Sequence, residues 1–253
     1  MPGTNDTSAL IHASSLSYTY RGSFTPAIEQ ISLSLTEGTL YGLIGPNGAG
    51  KTTLISLLTT LLRPDQGTLT VCGENALSHF TSIRQVLGAV PQELAIYERL
   101  TGRENLLYFG RLYGLHDELV KEKSRYYLDM FGLADKADCR VSTYSGGMKR
   151  RINLIIGLLH DPKILFLDEP TAGVDAQSRH LIIEKLRMLN TNGMTMVYAS
   201  HYLEEIEQLC TSVVLIDHGR IVAQGSPLQL GQADGCTGLA DFYLHKTGEK
   251  LRD

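Results

Sequence analysis

Eight consecutive residues, Gly45-Pro46-Asn47-Gly48-Ala49-Gly50-Lys51-Thr52, satisfy the spacing G-x-x-x-x-G-K-[ST] without a gap. The short apolar run Leu40–Ile44 precedes them as a strand, and a helical run from Thr52 to Leu62, closed by Pro64, follows. That context suits a loop that wraps phosphate. Glycine lets backbone N–H groups turn inward and come close to phosphate oxygens. The start of the following helix adds partial positive charge. Lys51 offers a point charge to β and γ phosphates, and the Thr52 hydroxyl can ligate Mg²⁺. Gly45, Asn47, Gly48, Gly50 and Thr53 complete the expected phosphate-facing set.

A second set stands at the end of another apolar run. Ile164-Leu165-Phe166-Leu167 leads directly into Asp168-Glu169-Pro170-Thr171. Carboxylates at the C-terminal end of a buried strand face the crevice where open α/β sheets bind ligands. Asp168 is placed to hold Mg²⁺, and Glu169, one residue on, to polarise an attacking water as general base. A third feature is Ser145-Gly146-Gly147, at the start of the helical run that continues through Ile156. A hydroxyl, close backbone approach and a helix start make a second anion site.

Two phosphate-binding helix starts in one chain lead to a family. Tyr144-Ser145-Gly146-Gly147-Met148 resembles the signature motif of ABC ATPases, with Met148 where the usual Leu-Ser-Gly-Gly-Gln has Gln. The resemblance carries further roles onto this chain. Gln92, in Val90-Pro91-Gln92-Glu93, resembles the glutamine that senses Mg²⁺ and the attacking water. Ala172-Gly173-Val174-Asp175 resembles the loop that contributes Asp175. His201 resembles the switch histidine that contacts γ-phosphate, and Tyr20 the aromatic that stacks on adenine, with Tyr18 as its competitor. The implied cofactors are ATP and Mg²⁺. The implied partners are a transmembrane permease and a second ATPase chain, either an identical copy or a paralogue. The implied location is the inner face of the cell membrane, reached through the permease. Leu100-Thr101-Gly102-Arg103-Glu104-Asn105-Leu106, the run Ser145–Arg151 and the tail Leu239–Asp253 are similar to the drug- and lipid-export branch.

The elements that must position these groups follow from hydrophobic periodicity. Alternation through Leu16, Tyr18 and Tyr20, then Ile31, Leu33 and Leu35, predicts antiparallel strands, and Thr68–Cys72 returns to strand character. From Leu100 to Arg140 apolar residues recur at helical spacing. Beyond it, the strand Lys163–Leu167, a helix Gln177–Leu189, the strand Thr195–Ala199, a helix near Leu203–Leu209 and the strand Ser212–Ile216 alternate as βα units. The expected fold is α/β: a P-loop NTPase with a RecA-like core, an antiparallel β subdomain and an inserted helical subdomain. It forms one ABC ATPase domain over 1–253, with the helical subdomain over about 93–160 and a short C-terminal tail over about 226–253.

Composition narrows the alternatives. The formal net charge is -4, a poor footing for a nucleic-acid partner, which needs a basic field. The run Lys149-Arg150-Arg151 reads as a solvated helix face. Cys72, Cys139, Cys210 and Cys236 lack metal-ligand spacing and read as reduced thiols. No stretch has the roughly 20 apolar residues of a membrane span, and residues 1–15 lack the pattern of a signal peptide.

Overall fold

The computed structural model describes residues 9–248. Three strands and the first helix come first: β1 (Ala9–Tyr18), β2 (Ile28–Thr36), β3 (Leu40–Ile44) and α1 (Lys51–Leu58). Next are β4 (Gln66–Val71), β5 (Glu74–Asn75), α2 (Phe80–Val86) and β6 (Leu87–Val90). A helical stretch holds α3 (Gly102–Leu112), α4 (Asp117–Met130) and α5 (Gly146–Leu158). Then β7 (Ile164–Asp168), α6 (Ala176–Thr191), β8 (Thr195–Ala199), α7 (Leu203–Leu209) and β9 (Ser212–Asp217) alternate. The edge strand β10 (Arg220–Gly225) and helices α8 (Pro227–Gly231) and α9 (Leu239–Thr247) close the described chain. The part of the 239–253 tail beyond Gly248 lies outside the described residues.

Two sheets organise these elements. The smaller is antiparallel, in the order β2-β1-β4-β5. The larger runs β10-β9-β3-β8-β7-β6, parallel throughout except for β10. Strands β3, β7 and β8 are buried at every position, as strands covered on both faces must be. Side-chain alternation sorts each strand between two cores. Phe166 and Val197 face the core shared with α1 and the antiparallel sheet, alongside Ile11, Ile28 and Leu54. Leu165, Leu167, Met196 and Tyr198 face the other core, shared with the helical stretch through Leu106, Phe131 and Ile155.

The helix starts are locally encoded. Thr101 and Glu104 form a reciprocal capping box on α3: the Glu104 N–H donates to the threonine hydroxyl at 3.1 Å, and the Thr101 N–H donates to the glutamate at 2.8 Å. Ser145 caps α5, accepting from the Met148 N–H at 3.2 Å.

Helix α1 differs from its expected span, ending at Leu58 rather than Leu62. Thr60 takes a φ of 60°, the Thr59 hydroxyl donates back to the Ile55 carbonyl, and the Leu62 N–H turns to Ser56 O at 2.9 Å. The chain is thus capped before Pro64 is reached. All four cysteines are free thiols. Among the described residues, no helix is long and apolar enough to cross a membrane.

Phe131, fully buried, joins the helical stretch to the sheet core. Phe131→Ala is expected to destabilise the protein by about 3–5 kcal/mol, the usual range for such a truncation. Equilibrium urea unfolding checks this as a lower midpoint at an unchanged slope.

Candidate functional site

The loop after β3 turns over the end of the large sheet and delivers Lys51 and Thr52 to the start of α1. At Gly50 the φ is 106°, and a Cβ there would stand 2.7 Å from the Ala27 carbonyl oxygen. Only glycine suits both constraints. Lys51 Nζ donates to the carbonyls of Gly45 at 2.7 Å and Pro46 at 3.0 Å, folded back onto its own loop. Burial pulls the Lys51 ammonium below its ordinary range, and the charges of Glu169 and Asp168 partly offset that pull.

The carboxylates arrive from β7, two strands away across β8. The Thr52 hydroxyl donates to Asp168 Oδ2 at 2.8 Å, which ties the start of α1 to the end of β7. Asp168 is buried, and burial raises its carboxyl above the ordinary range; the Thr52 bond and the charges of Lys51 and Arg150 oppose this. Glu169 is also buried and adopts a φ of 51°. A left-handed backbone at a non-glycine residue costs on the order of 1–3 kcal/mol and concentrates at functional sites. Here it aims the side chain back toward the cleft. His201 Nδ1 lies 2.7 Å from Glu169 Oε2 but off the line of a hydrogen bond, so this buried oxygen keeps unmet acceptor capacity.

These groups line one cleft of about 590 Å³. Tyr20, Asn47, Gly48, Gly50, Lys51, Thr52, Thr53, Gln92, Asp168, Glu169 and His201 all border it, joined by Ala27 and Ala49. Tyr20, rather than Tyr18, reaches the wall: its hydroxyl lies 3.1 Å from Thr53 Oγ1, while Tyr18 packs against it edge-on, 5.0 Å between centroids. Gly45 contributes its carbonyl to Lys51 without bordering the cleft.

Ser145, Gly146, Gly147 and Asp175 form a separate cluster outside that cleft. Asp175 caps α6, accepting from the Ser178 N–H and hydroxyl at 2.9 Å each. Gly147 packs on this cap so closely that a Cβ would stand 2.1 Å from Ser178 Oγ. The starts of α5 and α6 are therefore seated side by side.

The charge run on α5 is not a solvated face. Lys149 pairs with Glu98 at 2.5 Å. Arg151 donates to the Phe131 carbonyl at 2.8 Å. Arg150 is buried and donates to the carbonyls of Gln92 at 2.8 Å and Pro91 at 3.3 Å, while the Asn153 side-chain Oδ1 accepts from the Ala95 N–H at 3.1 Å. Arg150 and Asn153 thus pin the segment that brings Gln92 to the cleft, a role no local pattern announced. Burial also lowers the Arg150 guanidinium from its ordinary range, against the charges of Glu169 and Asp168.

The oxygen donors Thr52 and Asp168, with Gln92 on the same wall, suit a hard divalent cation. Among the described residues no group of three or more His, Cys, Asp or Glu side chains could hold a metal. A cation here would complete its shell with phosphate and water, as Mg²⁺ does.

Residues 28–172 match the family described as ABC transporter. The chain belongs to the ABC transporter ATP-binding family. It is 44% identical over 203 residues to the linearmycin resistance ATP-binding protein LnrL of Bacillus subtilis, an alignment spanning 80% of this chain and 65% of that one. It is 44% identical over 200 residues to the Nod factor export ATP-binding protein I of Sinorhizobium fredii, spanning 79% of this chain and 58% of the relative. The chain thus matches less than two thirds of the length of either relative. A solved ATP-binding subunit of an ABC transporter superposes with a TM-score of 0.84 at 26% identity, covering 94% of this chain and 99% of that one. As an ABC ATP-binding chain it has the expected P-loop α/β core, with the antiparallel sheet beside it.

Asp168 provides a test of burial in the nucleotide-free protein. A carboxyl whose folded pKa is raised favours the folded state at pH below its unfolded value, and this contribution is lost as pH rises through the folded value. Ionised Asp168 therefore costs stability at pH 7. Asp168→Asn, which keeps an oxygen to accept from Thr52, is expected to raise the thermal midpoint at pH 7. The gain should vanish below the ordinary carboxylate range, as a series of melts at different pH would record.

Proposed function

We propose that this chain binds ATP with Mg²⁺, hydrolyses it, and thereby powers an ABC exporter. The observation that carries this reading is the buried Glu169 carboxylate, with acceptor capacity unmet at Oε2, set beside His201 in the same cleft as Lys51, Thr52 and Asp168. Lys51 exchanges its loop carbonyls for β- and γ-phosphate oxygens, a stronger charge-assisted contact. Thr52, Asp168 and Gln92 hold the Mg²⁺, which supplies charge neutralisation at the phosphates. Glu169 accepts a proton from the attacking water as its oxygen bonds to the γ-phosphorus, and the bond from that phosphorus to the β–γ bridging oxygen breaks to release ADP. His201 faces the γ-phosphate, and Tyr20 supplies a ring for adenine.

The separate cluster at Ser145, Gly146, Gly147 and Asp175 supports a second chain in the reaction. A copy or paralogue rotated about a two-fold axis would bring its own Ser145 helix start to this cleft. ATP then closes the pair, and hydrolysis reopens it. Residues 1–253 act as one ATPase domain, with the helical subdomain over about 93–160 and the tail over about 226–253. The chain works at the inner face of a membrane through a transmembrane permease. Its docking surface lies between Glu93 and Tyr113, where Ile96, Tyr97, Leu100 and Tyr108 line an apolar groove of about 370 Å³. Tyr97 and Tyr108 are exposed there and pack edge to face at 4.8 Å. The names of the two relatives, resistance and export proteins, support export as the direction.

Glu169→Gln should lower turnover by about 10²–10⁴-fold while ATP still binds. The variant should then accumulate as an ATP-dependent dimer, read by size-exclusion chromatography with light scattering. Turnover equal to wild type would refute the assignment. Tyr108→Asp should leave the ATPase of the isolated chain intact and reduce its co-purification with the permease; equal recovery would refute the docking surface.

A further inference from the structure

Behind the cleft lies a buried carboxylate that the reaction scheme does not use. Glu205, on α7, is 4% exposed. It accepts hydrogen bonds from three hydroxyls on two stretches of chain, the turn after β7 and the end of β8. Thr171 Oγ1 lies 2.9 Å from both of its oxygens, Tyr198 donates at 2.7 Å, and Ser200 donates at 3.2 Å. Arg179 of α6 adds its charge at 3.3 Å. A buried carboxylate needs such partners, since an unpaired one would be far too costly.

The donors are placed where the catalytic groups leave their strands. Thr171 is two residues past Glu169, in the turn closed by the Ala172 N–H on the Glu169 carbonyl at 3.1 Å. Ser200 immediately precedes His201, and its hydroxyl also accepts the Tyr202 N–H at 3.0 Å. The two turns meet directly as well, where the Glu169 N–H donates to Ala199 O at 3.0 Å. One carboxylate therefore ties down the segment that carries Glu169 and the segment that carries His201.

Neither catalytic group is well anchored by itself. Glu169 holds a left-handed backbone that an isolated chain would leave. The His201 side chain is 52% exposed, and its contacts are Glu169 and the ring of Tyr202, 4.1 Å away. Tyr202 is itself held by Arg179, whose guanidinium carbon lies 4.6 Å over its ring. Glu205 and Arg179 thus hold the residues on either side of His201.

We infer that Glu205 is a positioning residue for hydrolysis, its hydrogen bonds to Thr171, Tyr198 and Ser200 fixing Glu169 and His201 relative to each other. The inference rests on the reading of Glu169 and His201 as the hydrolytic pair. Removing one of its donors should loosen that geometry without touching the phosphate loop. A misplacement on the order of 1 Å costs about 10²-fold in rate. The loss should fall on kcat, with the KM for ATP little changed.

The test uses steady-state ATPase kinetics, ATP binding and thermal melts on the full chain. Thr171→Val removes the hydroxyl and keeps the shape; Thr171→Ser restores the hydroxyl. We expect kcat to fall about 10- to 100-fold in Thr171→Val, with ATP affinity retained and most of the rate recovered in Thr171→Ser. Glu205→Gln should fall in the same direction. If it fails to fold, the threonine pair carries the test. A lower melting midpoint with unchanged kcat per folded molecule would overturn the inference, as would a loss confined to KM. Glu169→Gln is assayed alongside: wild-type turnover in that variant would refute the underlying reading, whereas its silence together with an active Thr171→Val would sink only the positioning role.

Discussion

The Thr52 hydroxyl bond to Asp168 adds a polar tie between two elements that already share a hydrophobic core. Thr52 begins α1 after β3, and Asp168 ends β7, with β8 between the two strands. The carboxylate is buried against its own preference for water, and the charges of Lys51 and Arg150 keep it tolerable there. Phosphate loop, acidic strand end and cleft are built around that contact. A divalent cation placed there would offset the same buried charge.

Helix α5 carries a second layer of organisation. Its N-terminal turn presents Ser145, Gly146 and Gly147 beside the cap of α6. One and two turns further on, Arg150 and Asn153 hold the backbone around Gln92, and Arg151 reaches the carbonyl that ends α4. One helix therefore links the Ser-Gly-Gly turn, the glutamine at the cleft and the helical stretch. Movement of α5 must move Gln92, because buried donors cannot be left unpaired cheaply. The carboxylate of Glu205 does the corresponding work on the other side, where the turns after β7 and β8 are held to α7 and α6.

The phosphate-loop, acidic and Ser-Gly-Gly groups were legible because each sits in a contiguous motif with its own local geometry, whereas Tyr20, Gln92 and His201 were reached only through the family resemblance. The glycine spacing from Gly45 to Gly50, the acidic pair after Ile164–Leu167 and the Ser-Gly-Gly helix start all express backbone requirements within a few residues. The strands β3, β7 and β8 were legible for a related reason, since burial on both faces demands apolar residues at nearly every position. Less visible were α2, β6 and β10. β6 is four residues long and contains Gly88, and β10 alternates only weakly, between exposed and half-buried positions. Such elements owe their form to the neighbours they pair with, and β-propensity follows context more than sequence.

By itself, the sequence determined the chemistry on offer: a phosphate loop, two carboxylates at a strand end, a second anion-binding helix start and the family they resemble. Tertiary structure alone decided which of these share a cleft and which stand apart. It turned Lys149-Arg150-Arg151 from an apparent solvated face into a set of clamps, because charge in a sequence says nothing about which carbonyls and carboxylates will surround it. It chose Tyr20 over Tyr18 for the wall of the cleft. It also placed Glu205 where hydroxyls from two turns and a strand converge, a relation between residues 171, 198, 200 and 205 that only the packing of α7 against the sheet creates. Local motifs record what the backbone must do within a few residues; positions set by long-range burial and pairing appear only when the chain is folded.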